Sequence, residues 1–263
     1  MKYKLPEFTI LSQPYLEFGL VHRPWLDFEE KINRYRVQGT LFLERSELLN
    51  SADFGMLLVA NIGGKLDNKI QNKIGTKHTG KFGSFGIGVF NGGGYHAIEQ
   101  NTNKVLETRL TLRPFHGFFP GLLFSYFGAF GKGNTELAPD WVLNSGFVSL
   151  ENRYFVLTGT YYEGKGNSFG SCIDENNRPL NQSGYSAFSE LKLMCNRVSI
   201  FGRYDFFAIE DETGDTKNER YIVGTAYHFE RGCKILLDYD YGKLVNSEET
   251  KDSLFELAIE IVF

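Results

Sequence analysis

Cysteine is scarce in this 263-residue chain, which contains only 3. Cys172, Cys195 and Cys233 lie far apart, without a C-x-x-C pair and without a histidine at metal-ligand spacing. Such an odd and sparse set argues against a disulfide framework and against a zinc site. We therefore expect no metal and no cofactor.

Long hydrophobic runs are also missing. No stretch approaches the roughly 18 consecutive apolar residues of a membrane helix, and the longest candidate, 117–130, is interrupted by Pro120. The start, M-K-Y-K-L-P-E-F-T-I, lacks the apolar core of a signal peptide, which taken alone indicates a cytoplasmic protein. A net charge of −4 provides no basic footprint, so we expect no nucleic-acid partner.

Aromatic residues and glycine are abundant instead. The chain has 24 Phe, 14 Tyr and 29 Gly but only 7 Pro, a composition that favours strands and turns over helices. The final stretch, 251–263, shows the pattern most clearly, because apolar and mostly polar residues alternate along it as in a strand with one apolar face. The apolar positions are Phe255, Leu257, Ile259, Ile261 and Phe263, and the others include Glu256, Ala258 and Glu260.

Similar runs recur along the whole chain and predict twelve strands. Short turns alternate with long polar loops toward the C-terminus, which is typical of an antiparallel up-and-down meander with one smooth end and one elaborated end. The predicted strands are 15–22, 52–62, 82–90, 104–113, 121–130, 141–150, 153–162, 185–195, 198–207, 220–230, 232–241 and 251–263.

The two faces of these strands differ in a way that indicates a membrane. Apolar faces carry aromatic residues at two levels with aliphatic residues between them, as transmembrane β-barrels do. The opposite faces carry charges of both signs, which we expect to line a water-filled lumen. The predicted lumen-lining residues are Glu107, Arg109, Arg113, Arg203, Asp205, Lys234, Asp238, Asp240, Glu256 and Glu260. The sequence thus predicts an all-β protein, a single transmembrane antiparallel up-and-down β-barrel domain over 1–263.

One long connection, 23–50, does not alternate and is rich enough in apolar residues to pack against something. Counted back from the C-terminus it lies at the long-loop end, where it could fold into the lumen and narrow it. Its basic residues could attract anions at that constriction, or they could pair with Asp27, Glu29, Glu30 and Glu44 and hold the loop in shape. The candidate constriction residues are His22, Arg23, Arg34, Arg36 and Arg45.

Three stretches resemble bacterial outer-membrane porins. They are L-E-F-G-L-V-H-R-P-W-L-D-F-E-E at 16–30, R-Y-R-V-Q-G-T at 34–40 and N-S-A-D-F-G at 50–55, and they are most similar to the phosphate-selective porin O/P-like group. The resemblance implies a trimeric channel of roughly sixteen to eighteen strands in the outer membrane of a Gram-negative bacterium, with this chain as part of a porin of about sixteen strands. It also implies lipid and the outer-membrane assembly machinery as partners, with Phe263 as the assembly signal. The chain departs from the family by its lack of a signal peptide and by its twelve strands, so we expect that an N-terminal portion is missing.

The function expected from these features is passive diffusion of small hydrophilic solutes or ions. The alternative is a non-conducting outer-membrane barrel that acts as a binding or structural protein through its long outer loops. A hydrolase-like barrel would need serine and histidine presented together at the outer face, but His228 falls near the predicted tight-turn end. The sequence therefore predicts that the chain is not an enzyme.

Overall fold

A computed structural model describes residues 1–212, 214–229, 232–245 and 249–262. Thirteen strands form one antiparallel sheet, and each strand pairs with its neighbours in the chain. The strands are β1 (Lys2–Lys4), β2 (Leu11–His22), β3 (Ala52–Ile62), β4 (Gly83–Phe90), β5 (Val105–Leu112), β6 (Leu122–Lys132), β7 (Asp140–Glu151), β8 (Phe155–Lys165), β9 (Asn181–Leu193), β10 (Val198–Glu210), β11 (Thr216–His228), β12 (Lys234–Val245) and β13 (Glu249–Glu260). The all-β, up-and-down prediction is confirmed, and β1 is added to the twelve expected strands.

The strands from β9 onward are long enough to cross a bilayer. Each has 12 or 13 residues, which at about 3.3 Å per residue gives about 40 Å of strand. Tilted by about 40°, such a strand spans about 30 Å, the thickness of the hydrocarbon layer. The ladder between β10 and β11 is regular from Val198↔Tyr227 to Ile209↔Thr216, which fixes the face of every side chain in between.

The outer face of the sheet is apolar and carries rows of aromatic rings. Tyr185 stacks on Phe206 with ring centroids 5.1 Å apart, and Tyr204 lies 4.7 Å from Tyr221 in the next strand. Phe229, eight residues after Tyr221 and about 26 Å along the strand, is also exposed. Leucine, isoleucine and valine side chains between these levels are exposed as well. An exposed apolar surface of this extent fits lipid better than water.

The two ends of the sheet are unequal, but not as predicted. We call the end with the short connection 152–154 the turn end, and the opposite end the loop end. The turn end is not smooth, since the connection 63–82 between β3 and β4 contains helix α3 (Asn68–Ile74). The Asp67 side chain accepts a hydrogen bond from the Lys69 N–H at the start of this helix, and left-handed Gly75 ends it.

The interior is occupied by residues 23–50, which we call the central segment. It leaves the loop end after β2, reaches the turn end, returns to β3, and contains the short helices α1 (Leu26–Glu29) and α2 (Phe42–Arg45). Its side chains contact the inner faces of β3, β5, β6, β7, β9, β10, β11 and β12, so the sheet curls around it. The expected water-filled lumen is therefore replaced by a packed core along much of the wall.

The two outermost strands are free edges in the part of the chain that the structure describes. β1 pairs only with β2, β13 pairs only with β12, and no ladder joins β1 to β13. Hydrogen bonds thus define a curled sheet of thirteen strands. Within the described ranges, no helix is long and apolar enough to cross a membrane.

Candidate functional site

The central segment is apolar on the side that faces β6 to β12. The Trp25 ring stacks on Phe127 of β6 at a centroid distance of 5.6 Å and meets Phe147 of β7 edge-on at 5.1 Å. Near the turn end, Tyr35 stacks on Phe201 of β10 at 4.2 Å. Leu41, Phe42, Leu43, Leu48 and Leu49 are also buried in this core. Burial of these side chains anchors the segment to the wall through the hydrophobic effect.

Its other side is charged and only partly buried. The Lys31 Nζ lies 2.6 Å from an Asp27 carboxylate oxygen. Arg36 donates two hydrogen bonds to Glu44, of 2.6 and 3.0 Å, and lies 3.9 Å from Glu30. These pairs keep the segment in shape, as the simpler interpretation of the sequence anticipated, and they leave its charges accessible to solvent.

At the loop end a fully buried ion cluster holds the start of the segment. The Arg23 guanidinium donates to Glu107 of β5, to Asp53 of β3 at 3.2 Å and to the Gly92 carbonyl at 3.2 Å. Asp53 also accepts the Gly92 N–H at 2.6 Å. Buried charges require such partners, because removing them from water is costly. The cluster joins the segment to two strands and one loop.

At the turn end a second polar cluster holds the tip of the segment. The hydroxyls of Tyr35 and Ser199 each donate to Glu190 Oε1 at 2.7 Å, and the Nε2 atom of His228 lies 3.1 Å from the Ser199 hydroxyl. This is not the geometry of a catalytic triad: Glu190 bonds to the serine itself, and Ser199 is only 1% exposed. The cluster positions the tip against β9, β10 and β11.

The five candidate constriction residues lie in different environments. His22 is exposed at the end of β2, on the outward face shared with Phe18 and Leu20, so its assignment to a constriction is corrected. Arg23 is buried in the ion cluster and does not line an opening. Arg34 and Arg36 lie on the open side of the segment. Arg45 pairs with Asp240 at 3.2 Å and is mostly covered.

The predicted lumen-lining residues all point inward, but most are not in contact with bulk water. They are covered by the central segment, by the connection 63–82 or by one another; for example, Arg109 donates to the Pro24 carbonyl at 3.1 Å and Arg203 to the Thr40 carbonyl at 2.7 Å. Glu256 and Glu260 on β13 stay partly exposed. The buried ones are Glu107, Arg109, Arg113, Arg203, Asp205, Lys234, Asp238 and Asp240. Phe263, the predicted assembly signal, lies outside the described residues.

A cavity of about 810 Å³ opens beside the charged side of the segment at the turn end, and we call it the large cavity. Seven basic side chains and three carboxylates line it. Four of the basic ones, Arg34, Lys77, Arg153 and Lys192, form no ion pair within the described ranges; Arg34 donates instead to the Gly75 carbonyl at 2.7 Å. The cavity is therefore positive in a chain whose net charge is negative.

A second cavity of about 550 Å³, the small cavity, lies on the β1 to β3 side of the segment. Lys31 and Lys77 line both cavities. Sequence reasoning missed these two lysines, since neither lies on a strand. For Lys77, the available signal was the lysine-rich composition of 63–82.

No family model and no curated protein matches the chain, so the resemblance to the phosphate-selective porin O/P-like group is not confirmed. Solved structures do match. Outer-membrane expressed OmpT of Vibrio cholerae is similar with a TM-score of 0.63 at 14% identity, over 94% of this chain and 75% of that chain. An OmpT mutant without loop L8 gives a TM-score of 0.62 at 14% identity over 94% and 76%, and a trimer form folded in vitro gives 0.56 at 12% over 94% and 76%.

The prediction that the chain is not an enzyme was wrong, because it excluded an activity that the structural neighbours give no ground to exclude. The matched proteins are described as OmpT, an outer-membrane protein, and at 12% to 14% identity the likeness shows a shared fold and no activity. The comparison supports the expected location in an outer membrane, and the chain has the fold of these outer-membrane proteins.

Proposed function

We propose that the sheet closes into a barrel in the outer membrane and lets small hydrophilic solutes and ions diffuse along the charged side of the central segment. The observation that carries the proposal is the two-sidedness of this segment. One side is packed against β6 to β12, and the other presents Glu30, Lys31, Arg34 and Arg36 to open space. If the segment only filled the interior, its whole surface would be expected to be buried and largely apolar.

The positive charge of the large cavity gives the proposed path a preference for anions over cations. Arg34, Lys77, Arg153 and Lys192 lack carboxylate partners within the described ranges, and fixed charge at a narrow point sets ion selectivity. Anions should therefore permeate more readily than cations. The resemblance to phosphate-selective porins agrees with this preference and, like assembly of the chain as a trimer, remains part of the proposal.

A non-conducting barrel is the second candidate, and one observation favours it. The central segment fills the interior from the loop end to the turn end and is fixed at both ends by buried polar clusters. If no path remains beside it, the protein would act through its loops. Measurement of ion current separates the two candidates.

The test is reconstitution of the folded chain in a planar lipid bilayer. Folding is checked first by circular dichroism and by protease resistance of the vesicle-inserted protein. Stepwise ion currents at low protein concentration are the expected result. Absence of current from a chain that passes both checks would overturn the channel proposal and favour the non-conducting barrel.

A matched pair of double variants tests where the path runs. Replacing Arg34 and Arg36 by glutamate should shift the reversal potential in a salt gradient toward cation preference, because both line the large cavity. Replacing Lys69 and Lys73 by glutamate changes the net charge equally, but these exposed side chains of α3 line neither cavity. Equal shifts for the two variants would remove Arg34 and Arg36 from the path.

A further inference from the structure

The connection 63–82, which we call the strap, crosses the turn end of the interior. Arg113 at the end of β5 donates hydrogen bonds to the Gly80 and His78 carbonyls. The Thr76 hydroxyl donates to Glu151 at the end of β7. Arg113 and Glu151 are both buried beneath it. The strap, which leaves β3 and enters β4, is therefore tied to strands that lie farther along the sheet.

The strap also meets the central segment, which enters the interior from the opposite end. The Arg34 guanidinium donates to the Gly75 carbonyl at 2.7 Å. The ring of His78 lies against Phe28 at a centroid distance of 4.4 Å. Two inward segments, one from each end of the sheet, thus touch inside it. Nothing in the length or composition of the strap required this contact.

Lys31 of the central segment and Lys77 of the strap lie where the two cavities adjoin, because each lines both of them. The two ammonium groups differ in whether they are paired with a carboxylate. Lys31 is paired with Asp27 at 2.6 Å, whereas Lys77 makes no ion pair in the part of the chain that the structure describes. Partial burial, together with repulsion from the nearby Arg34, Lys234 and Lys31, lowers the pKa of its ammonium group.

We propose that the strap is a second constriction at the turn end, and that Lys77 is the side chain that sets its preference for anions. This inference rests on the proposed function, since it adds a second selectivity element to the same path. The central segment contributes Lys31, Arg34 and Arg36 to the lining of the large cavity. The strap adds an unpaired positive charge on a separate part of the chain, at the junction of the two cavities.

The first test compares Lys77→Glu with Lys73→Glu in bilayer recordings. Both changes reverse one positive charge on the strap, but only Lys77 lines the cavities. Lys77→Glu should lower the anion-to-cation permeability ratio about threefold or more, as expected for a charge reversal near a screened path. Lys73→Glu should leave the ratio unchanged. Equal ratios in both variants would overturn the inference while leaving the channel proposal intact.

A second test does not depend on conduction. Asn72→Cys places a thiol in the large cavity, in a chain whose exposed Cys195 and half-exposed Cys233 are changed to serine. When each rate is divided by the rate of the same reagent with a free thiol in solution, a thiosulfonate with a sulfonate group should be favoured over one with a trimethylammonium group. Lys77→Glu should reduce this normalised ratio about threefold. An unchanged ratio in the Lys77→Glu variant would contradict the inference even if the chain carries no current.

Discussion

The packed side and the open side of the central segment use the same stretch of chain for opposite purposes. Toward β6 to β12, Trp25, Tyr35 and Phe42 are almost completely buried. Toward the cavities, Arg34 and Arg36 remain partly exposed. The difference shows that one side of the segment is buried against the wall and the other faces solvent. Anchoring and permeation are therefore assigned to different residues, which can be tested separately.

The largest effect is expected on the packed side. Trp25→Ala removes a fully buried ring that contacts Phe28, Phe127 and Phe147, and a substitution of this kind lowers the free energy of unfolding by about 3–5 kcal/mol. Equilibrium denaturation of the vesicle-folded protein measures it. Phe118→Ala is the control, since that ring is 76% exposed, and similar losses for both variants would show that the segment is not anchored by packing.

A smaller loss is expected at the buried ion cluster that fixes the start of the segment. Asp53→Asn weakens the hydrogen bonds that this carboxylate accepts from Arg23 and Gly92, and a hydrogen bond to a charged group contributes about 1.5–3 kcal/mol. Asp174→Asn, in an exposed loop ion pair, should change the same denaturation midpoint much less. If the two variants are indistinguishable, the cluster does not anchor the segment.

The smallest effect is a pH dependence where the packed side meets the strap. Burial and the nearby cations Arg109, Lys31 and Arg113 lower the pKa of His78 well below its ordinary 6.5. The unfolded chain therefore binds this proton more readily, so the contact with Phe28 is fully stable above about pH 6.5 and weakens as the pH falls, by at most about 1.4 kcal/mol per pH unit. The protection factors of the amides of 63–82, in which the intrinsic pH dependence of exchange is divided out, should fall between pH 7.5 and pH 5.

The control for this effect is His78→Phe, which keeps an aromatic ring against Phe28 and cannot bind a proton. In that variant the exchange of the strap should follow only the intrinsic pH dependence of amide exchange. The same acid-induced loosening in both proteins would assign it to another group.

The strands could be predicted from the sequence because a period of two is a local signal. Every predicted strand is present, and the inward and outward faces around Arg203, Asp205 and Tyr221 follow the alternation. Lys2–Lys4 was missed because β1 is three residues long and its pattern cannot be separated from chance. The outward aromatic levels followed from the same alternation.

The packed interior was missed although the sequence contained a sign of it. Phe188, Phe201 and Ile222 occupy inward positions of β9, β10 and β11. In a water-filled lumen these apolar side chains would be exposed to water. The prediction of a lumen rested on the charged inward residues and did not account for these apolar ones. An apolar inner face requires an apolar partner, and 23–50 is the long connection with enough aromatic and aliphatic residues to supply one.

The ion cluster and the strap could not be predicted, because they depend on contacts between distant parts of the chain. Arg23 meets Glu107 and Asp53 only after β3 and β5 have been placed around the segment. Lys77 gains its position from hydrogen bonds of its neighbours to Arg113, Glu151 and Arg34.

Thiol accessibility tests most directly whether one side of the central segment is buried and the other side faces solvent. Thr40→Cys places a thiol at an exposed position that lines the large cavity, and Leu43→Cys places one three residues later at a fully buried position. In membrane-inserted protein with Cys195 and Cys233 changed to serine, a charged thiosulfonate reagent should modify the first cysteine rapidly and the second hardly at all. Equal rates at the two positions would contradict the account.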